Sequence, residues 1–265
     1  MSSIGRRKRA PLIFTVVFVA IITLTAYFSW RHIDIIRYFV HRIEYRLNPS
    51  KFPNYSEKVL FDIYGIDVSH HNDVIDWQMV REKGKINDKP ISFVFIKATE
   101  GKSFIDKRFT RNISEARKNG FIVGVYHFYR PEVNSFEQFT NFKTNAKLKS
   151  GDLAPVLDVE VRGNLPYSRY IQGIQNMLEL MENHYGIKPI LYTSPSYYAS
   201  FMQYPELKKY PLWIASYTHG SVRQFNDIQA FHQYTDQGKV AGIKTKVDLN
   251  GFKGDKLKLQ KYLIK

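Results

Sequence analysis

The chain has 265 residues, no cysteine, 44% hydrophobic and 15% aromatic residues, and a formal net charge of +15. Disulfides, cysteine-based zinc sites and thiol nucleophiles are thereby excluded, and so is wholesale disorder, because the apolar content suffices for a large core. The charge predicts an acidic partner (nucleic acid, anionic lipid or an anionic wall polymer) without choosing among them.

In chain order, the basic tetrad Arg6, Arg7, Lys8 and Arg9 precedes residues 11–30, which carry no charge. At about 1.5 Å per residue that stretch covers roughly 30 Å, the hydrocarbon thickness of a bilayer. It predicts a single transmembrane helix behind a basic cytoplasmic tail over 1–10. A cleaved signal peptide is the competing reading, against which stand the length of the apolar stretch and the bulk of "LTAYFSW". Arg31, Arg37, Arg42 and Arg46 follow the span closely, so the positive-inside count is nearly balanced and only the tighter N-terminal cluster favours an inside N-terminus. Over 31–60, Ile36, Phe39, Val40, Ile43 and Leu47 recur at helical spacing. They predict an amphipathic helix, lying on the membrane surface or packed as a stalk, before the linker "LNPSKFPNYSEK".

From residue 61 the pattern changes. Short β-branched runs stand at "DIYGIDVS", "ISFVFIKAT", "FIVGVYHFY", "APVLDVE", "KPILYTS", "PLWIASY", "IQAFHQYT" and "KVDLNGF". Between the first five lie helical stretches at 74–85, 107–119, 135–148 and 167–184, and a shorter one at 195–202 follows the fifth. This alternation predicts an α/β fold with a parallel sheet covered by helices. Eight strands suggest a closed TIM-like barrel, irregular at its end because the last connections are too short for helices. The domain occupies 61–254, and residues 255–265 read as a short basic tail, solvated or acting as an electrostatic tether.

In such a barrel the functional side chains gather at the C-terminal strand ends. Those positions hold Asp67, Glu100, Tyr126, His127, Tyr129, Asp158, Glu160, Tyr192, Trp213, Gln233, Tyr234 and Asp248. A rim of acids and aromatics suits a glycan, whose rings stack on aromatic faces and whose hydroxyls bond to carboxylates and amides. Each aromatic taken singly is equally a packing residue. "APVLDVEVRG" adds the sharpest signal, for residues two apart on a strand share a face, roughly 6.6 Å from each other. Asp158 and Glu160 would both point into the mouth, where mutual repulsion and burial raise one pKa and leave an acid beside an ionised carboxylate. Glycosidic cleavage needs that division of labour. A salt-bridged pair or a divalent-metal site would show the same short motif, and Asp67 and Asp248 tip the balance toward catalysis.

Taken in order, "GIDVSHHN", "FVFIKATEG", "FIDKRFTRN", "GVYHFYRP", "PVLDVE", "PILYTS", "LWIASY", "QYTDQGKVAGI" and "VDLNGF" resemble the motifs of glycoside hydrolase family 25 lysozymes, the N,O-diacetylmuramidase or Chalaropsis type, over about residues 63–254. The resemblance implies an irregular barrel of five β/α units plus three strands. It also implies hydrolysis, with retention, of the β-1,4 bond between N-acetylmuramic acid and N-acetylglucosamine in peptidoglycan. By position, Glu160 matches the proton donor and Asp158 the neighbouring acid. Asp67 and Asp248 match the other two cleft acids, while Glu100, Tyr126, Tyr192 and Trp213 fit the saccharide-contacting rim; His127 and Gln233, at strand ends, are further candidate contacts.

The resemblance implies no cofactor and no metal, a peptidoglycan partner rather than nucleic acid, and a monomer. Because peptidoglycan lies outside the cytoplasmic membrane, the barrel is expected periplasmic or extracellular and the N-terminus cytoplasmic. Three alternatives are a non-catalytic glycan-binding barrel, a metal-dependent hydrolase using Asp67, His70, Asp158 and Glu160, and, weakest, a nucleic-acid binder. Paired His70 and His71 depart from the family pattern; as adjacent strand residues they would face opposite ways, which favours a structural or substrate contact over metal binding. His127 is open between a satisfied core histidine and a rim ligand.

Overall fold

The computed structural model describes residues 61–201, 204–217 and 229–265, together with Thr23. The basic tail, the span expected at 11–30 and the helix and linker expected over 31–60 lie, apart from Thr23, outside the described residues. Among the described residues no helix is long and apolar enough to cross a membrane.

Eight strands form the barrel: β1 (Ile63–Val68), β2 (Lys89–Glu100), β3 (Ile122–Phe128), β4 (Val156–Asp158), β5 (Ile190–Thr193), β6 (Leu212–Ala215), β7 (Gln229–Gly238) and β8 (Val247–Phe252). Helices α1 (Trp77–Lys83), α2 (Phe109–Lys118), α3 (Ser135–Asn145), α4 (Tyr167–Tyr185) and α5 (Pro195–Phe201) follow the first five strands in turn. Strands β1 to β7 pair in parallel with their neighbours. The fully parallel sheet expected from the alternation stops there, because β8 is antiparallel to both β7 and β1 and closes the barrel between them. The reason lies in the connection: residues 239–246 are too few for a crossover and suffice only for a reversal.

The helix expected over 74–85 is shorter than its pattern. After α1 the chain forms a two-residue strand, Lys85–Ile86, paired to Lys89 and Pro90. Asn87 and Asp88 between them both have positive φ, the two-residue turn that matches strand twist. The tail is also not wholly solvated, although its lysines stay exposed. A short helix α6 (Lys256–Leu259) and a 3-10 turn (Gln260–Tyr262) cap the barrel, with Leu259 buried and the Tyr262 ring against Phe231 and Phe252. Ala154 N–H donates to the Tyr262 carbonyl and Ile264 N–H to that of Asp152, which pins the segment down.

Two apolar clusters divide along the strand alternation. Ile63, Phe93, Phe95, Val156, Trp213 and Phe231 fill the barrel, whereas Tyr64, Ile66, Val94, Ile96, Leu157 and Ile214 face the helices. Room for the interior rings comes from two glycines. A Cβ on Gly65 would lie 2.3 Å from the Phe93 ring, and one on Gly124 would lie 2.3 Å from that of Phe95. The Phe95 and Trp213 rings then stack at 4.2 Å. Aromatic packing thus plugs the middle of the barrel and leaves its C-terminal rim free for polar side chains.

Candidate active site

At that rim a cleft of about 400 Å³ is lined by Asp67, Asp158, Glu160 and Asp248, with Tyr126, Tyr192, Trp213, Tyr217 and Gln233 around them. The four acids predicted from the sequence therefore meet, but not all by the route expected. Asp248 is the second residue of β8, and it reaches the rim because that strand runs the opposite way and sets it opposite Asp67. β4 ends at Asp158, so Glu160 lies beyond the strand rather than on it. Its neighbour Val159 is still held extended, by N–H donation to the Tyr192 carbonyl at 2.9 Å and by the Thr193 hydroxyl donating to its own carbonyl at 2.8 Å.

One polar network fixes Asp67. Its Oδ2 accepts from Gln233 Nε2 at 2.9 Å and from Asn250 Nδ2 at 2.7 Å. The Trp213 indole N–H holds Asn250 at 2.8 Å, while the Tyr192 and Tyr217 hydroxyls donate to Gln233 Oε1 at 2.9 and 2.8 Å. Burial raises the Asp67 carboxyl above its ordinary range, against the hydrogen bonds from Gln233, Asn250 and Asp248 that hold it back. Burial, then the charge of Asp67, pushes Asp248 up to about 9. The two acids share a proton across the β1–β8 seam.

Asp158 is set differently. Burial first, and then the charge of Glu160, raise its pKa well above the ordinary value, with Lys97 opposing. Its Oδ1 is buried and has no hydrogen-bond partner among the described residues. A buried acceptor of this kind carries a desolvation cost of roughly 1–3 kcal/mol until something donates to it. Together with Glu160, it makes a site prepared for an N–H or O–H group entering the cleft.

Tyr126, Tyr192, Trp213 and Gln233 line the cleft as expected. Trp213 is only 1% exposed, so it forms the floor rather than a stacking face. His127 does not line it. Fully buried, it lies against the Thr99 hydroxyl at 2.7 Å and Gln138 Oε1 at 3.1 Å, and burial lowers its pKa to about 4. Its strand position points it toward α3, the opposite face from Tyr126. Tyr129 and Tyr234 pack likewise among the outer apolar residues. Glu100 is also absent from the lining. Burial would raise its carboxyl, but hydrogen bonds from Lys97 (2.7 Å) and Arg130 outweigh it and hold it below the usual range.

The expected opposite orientation of His70 and His71 is replaced by a 3-10 turn, His70–Asn72, with the two rings 4.0 Å apart. His70 Nδ1 lies 2.6 Å from Asp106 Oδ2, and His71 lines the cleft mouth. Reading strand ends alone missed Lys97, Asn72, Tyr217 and Lys246, all in the lining. The lysine of "FIKATEG" carried a signal, being a cation inside an apolar run. Among the described residues, no three histidines or acids are arranged to hold a metal ion.

Comparison with known proteins agrees with this geometry. The model of glycosyl hydrolases family 25 matches residues 66–243. YegX of Escherichia coli O6:H1 is 33% identical over 98% of this chain and 95% of its own. Lysozyme M1 of Streptomyces globisporus is 31% identical over 74% of this chain and 70% of its own. Among solved structures, a bacterial lysozyme from Streptomyces coelicolor superposes with a TM-score of 0.68 at 29% identity, covering 76% of this chain and 96% of that one. A family 25 glycosyl hydrolase from Bacillus anthracis gives 0.67 at 31% identity, covering 76% and 94%.

Proposed function

The chain belongs to glycosyl hydrolase family 25, and from that premise we propose how its cleft works. It is a peptidoglycan hydrolase of the lysozyme (muramidase) type. In our reading Glu160 is the general acid and base for the β-1,4 bond between N-acetylmuramic acid and N-acetylglucosamine. The observation that carries it is the orphaned Asp158 Oδ1 beside Glu160.

With the cleft empty, Asp158 holds a proton because burial and the Glu160 charge disfavour its ionised form. A sugar acetamido N–H donating to Oδ1 stabilises ionised Asp158 and leaves the proton with Glu160, next to the glycosidic oxygen. Glu160 gives that proton to the leaving sugar while Asp158 aligns the acetamide, whose oxygen meets the oxocarbenium-like carbon. Water then attacks from the vacated side with Glu160 as base, which returns the proton to Glu160 and retains configuration. Asp67 and Asp248, sharing one proton, hold the opposite wall. Tyr126, Tyr192 and Gln233 bind the saccharide, and His127 and Glu100 act from behind the wall.

Peptidoglycan lies outside the cytoplasmic membrane, so the barrel works there. In the same reading residues 11–30 anchor it, with the basic residues 1–10 inside. Activity of a reporter fused after Lys265 only in the cytoplasm would overturn that topology. The chemistry is tested by incubating the full chain and its Glu160→Gln variant with purified peptidoglycan and analysing released fragments by mass spectrometry. Reducing muramic-acid ends from the wild type, with a loss of about 10²–10⁴ in the variant, support the assignment. No cleavage by either, with retained binding, would move the reading to a glycan-binding barrel.

A further inference from the structure

The larger of the two described cavities, about 790 Å³, opens at the end of the barrel opposite the catalytic cleft. It lies between the C-terminal end of α4, the residues leading into β5 and β6, and the closing segment of the chain. Five lysines line it: Lys188, Lys208, Lys209, Lys261 and Lys265. All are exposed. Among the described residues that line it, Glu182 is the one side-chain carboxylate, and it lies 3.8 Å from Lys209 Nζ. The cavity wall is aromatic, with the Tyr210 ring 5.0 Å beneath the Lys209 ammonium. The glycan site does not need this arrangement, and no lining residue is shared with the cleft.

From this juxtaposition we propose that the N-terminal end of the barrel is a docking face for an anionic phospholipid surface, with the lysine-rimmed cavity receiving lipid phosphate groups. Three observations select a membrane over a soluble polyanion. On α6, which covers this end, Leu257 is 72% exposed between Lys256 and Lys258, an apolar side chain set among cations as at a lipid interface. β1 begins at this same end, and the charge-free stretch 11–30 lies upstream of it in the sequence. The catalytic cleft lies at the opposite rim, so attraction of the basic end to an anionic bilayer turns the cleft outward. The proposal deepens the membrane reading above and rests on it for the tether alone.

The test reconstitutes the full chain with vesicles of phosphatidylcholine alone, or of phosphatidylcholine with phosphatidylglycerol, at low and high salt. Acetylation of each lysine is followed by mass spectrometry. Expected is protection of Lys188, Lys208, Lys209 and Lys261 by at least about fivefold on phosphatidylglycerol vesicles, the factor a single lysine near an anionic surface supplies, and its loss at high salt. Lys102, Lys107 and Lys246, at or near the catalytic rim, keep their rates. In a variant carrying K188Q, K208Q, K209Q and K261Q, Lys256 and Lys258 return to their lipid-free rates while cleavage of soluble glycan fragments is unchanged. Equal labelling on the two vesicle types overturns the proposal, as does protection spread equally over the rim lysines. Protection by soluble polyglycerol phosphate but not by phosphatidylglycerol vesicles overturns it in favour of a wall polymer. Failure to float with phosphatidylcholine vesicles refutes the anchor by itself, and protection on phosphatidylglycerol vesicles then still supports the face.

Discussion

Replacing Asp248 by Asn isolates the proton that the cleft holds between two acids. Burial and the neighbouring Asp67 carry the Asp248 carboxyl from its ordinary 3.8 to about 9. A raised carboxyl pKa means that the folded state keeps a proton the unfolded chain has released. The folded state is therefore most favoured below pH 3.8, and stability falls as pH climbs toward 9. By pH 7 the cost is about 4 kcal/mol for a group titrating alone, and competition with Asp67 for the same proton brings it to roughly 2–4 kcal/mol. Asn keeps the shape and does not titrate. For a domain of this size that predicts a melting temperature roughly 4–16 °C above wild type at pH 7 to 8, with the gap closing near pH 4. Circular-dichroism melts of both proteins, full length in detergent, measure it directly. Parallel curves across pH, or a less stable variant at pH 8, would refute the shared proton. Hydrolysis by the variant should fall even as stability rises, because the acid is kept for its work in the cleft.

Three further outcomes follow from placements away from the cleft chemistry. His127→Phe should leave turnover of soluble glycan within about twofold and lower stability by roughly 1–3 kcal/mol, because Thr99 and Gln138 lose their partner; a collapse of turnover at unchanged stability would return His127 to the cleft. His127 and His232 are both held near 4 by burial, so each withdraws up to about 3 kcal/mol as pH falls from 6.5 through 4, opposite in sign to Asp248; for His127 the difference in urea midpoints between wild type and His127→Phe across that range measures it. Leu259→Ala should cost about 2–4 kcal/mol, since its side chain is only 3% exposed at the barrel end; a change under about 0.5 kcal/mol would mean that the closing segment contributes as solvated residues do.

Strand periodicity made most of the barrel legible. The runs at Ile63–Val68, Ile122–Phe128 and Ile190–Thr193 alternate between two buried faces, and buried strands read as continuous apolar stretches. The direction of β8 was not legible from its own residues. "KVDLNGF" reads alike in either direction, and only the brevity of residues 239–246 indicates a reversal. Asp158 and Glu160 were legible because acids at the end of an apolar run are rare and costly there. His127 stayed open between core and rim for the same reason: a polar residue near a strand end looks like rim. Whether it faces the lumen depends on strand parity, and Tyr126, one residue earlier, already took the inner face. Glu100 was hidden by its partners: Lys97 lies three residues earlier on the same strand, and Arg130, just beyond β3, meets it only once β2 and β3 pair.

The seam between the first and last strands has a consequence for biosynthesis. Asn250 on β8 donates to Asp67 on β1 across a separation of 183 residues, and loops of that span close late because their entropy must be met before any contact rewards it. A nascent chain can pair β1 through β7 in order while it is still being made, but it has half a cleft wall until β8 leaves the ribosome and inserts. The enzyme therefore stays catalytically silent until β8 has been made and inserted. A wall-degrading activity switched on by insertion of the closing strand is in effect timed by its topology.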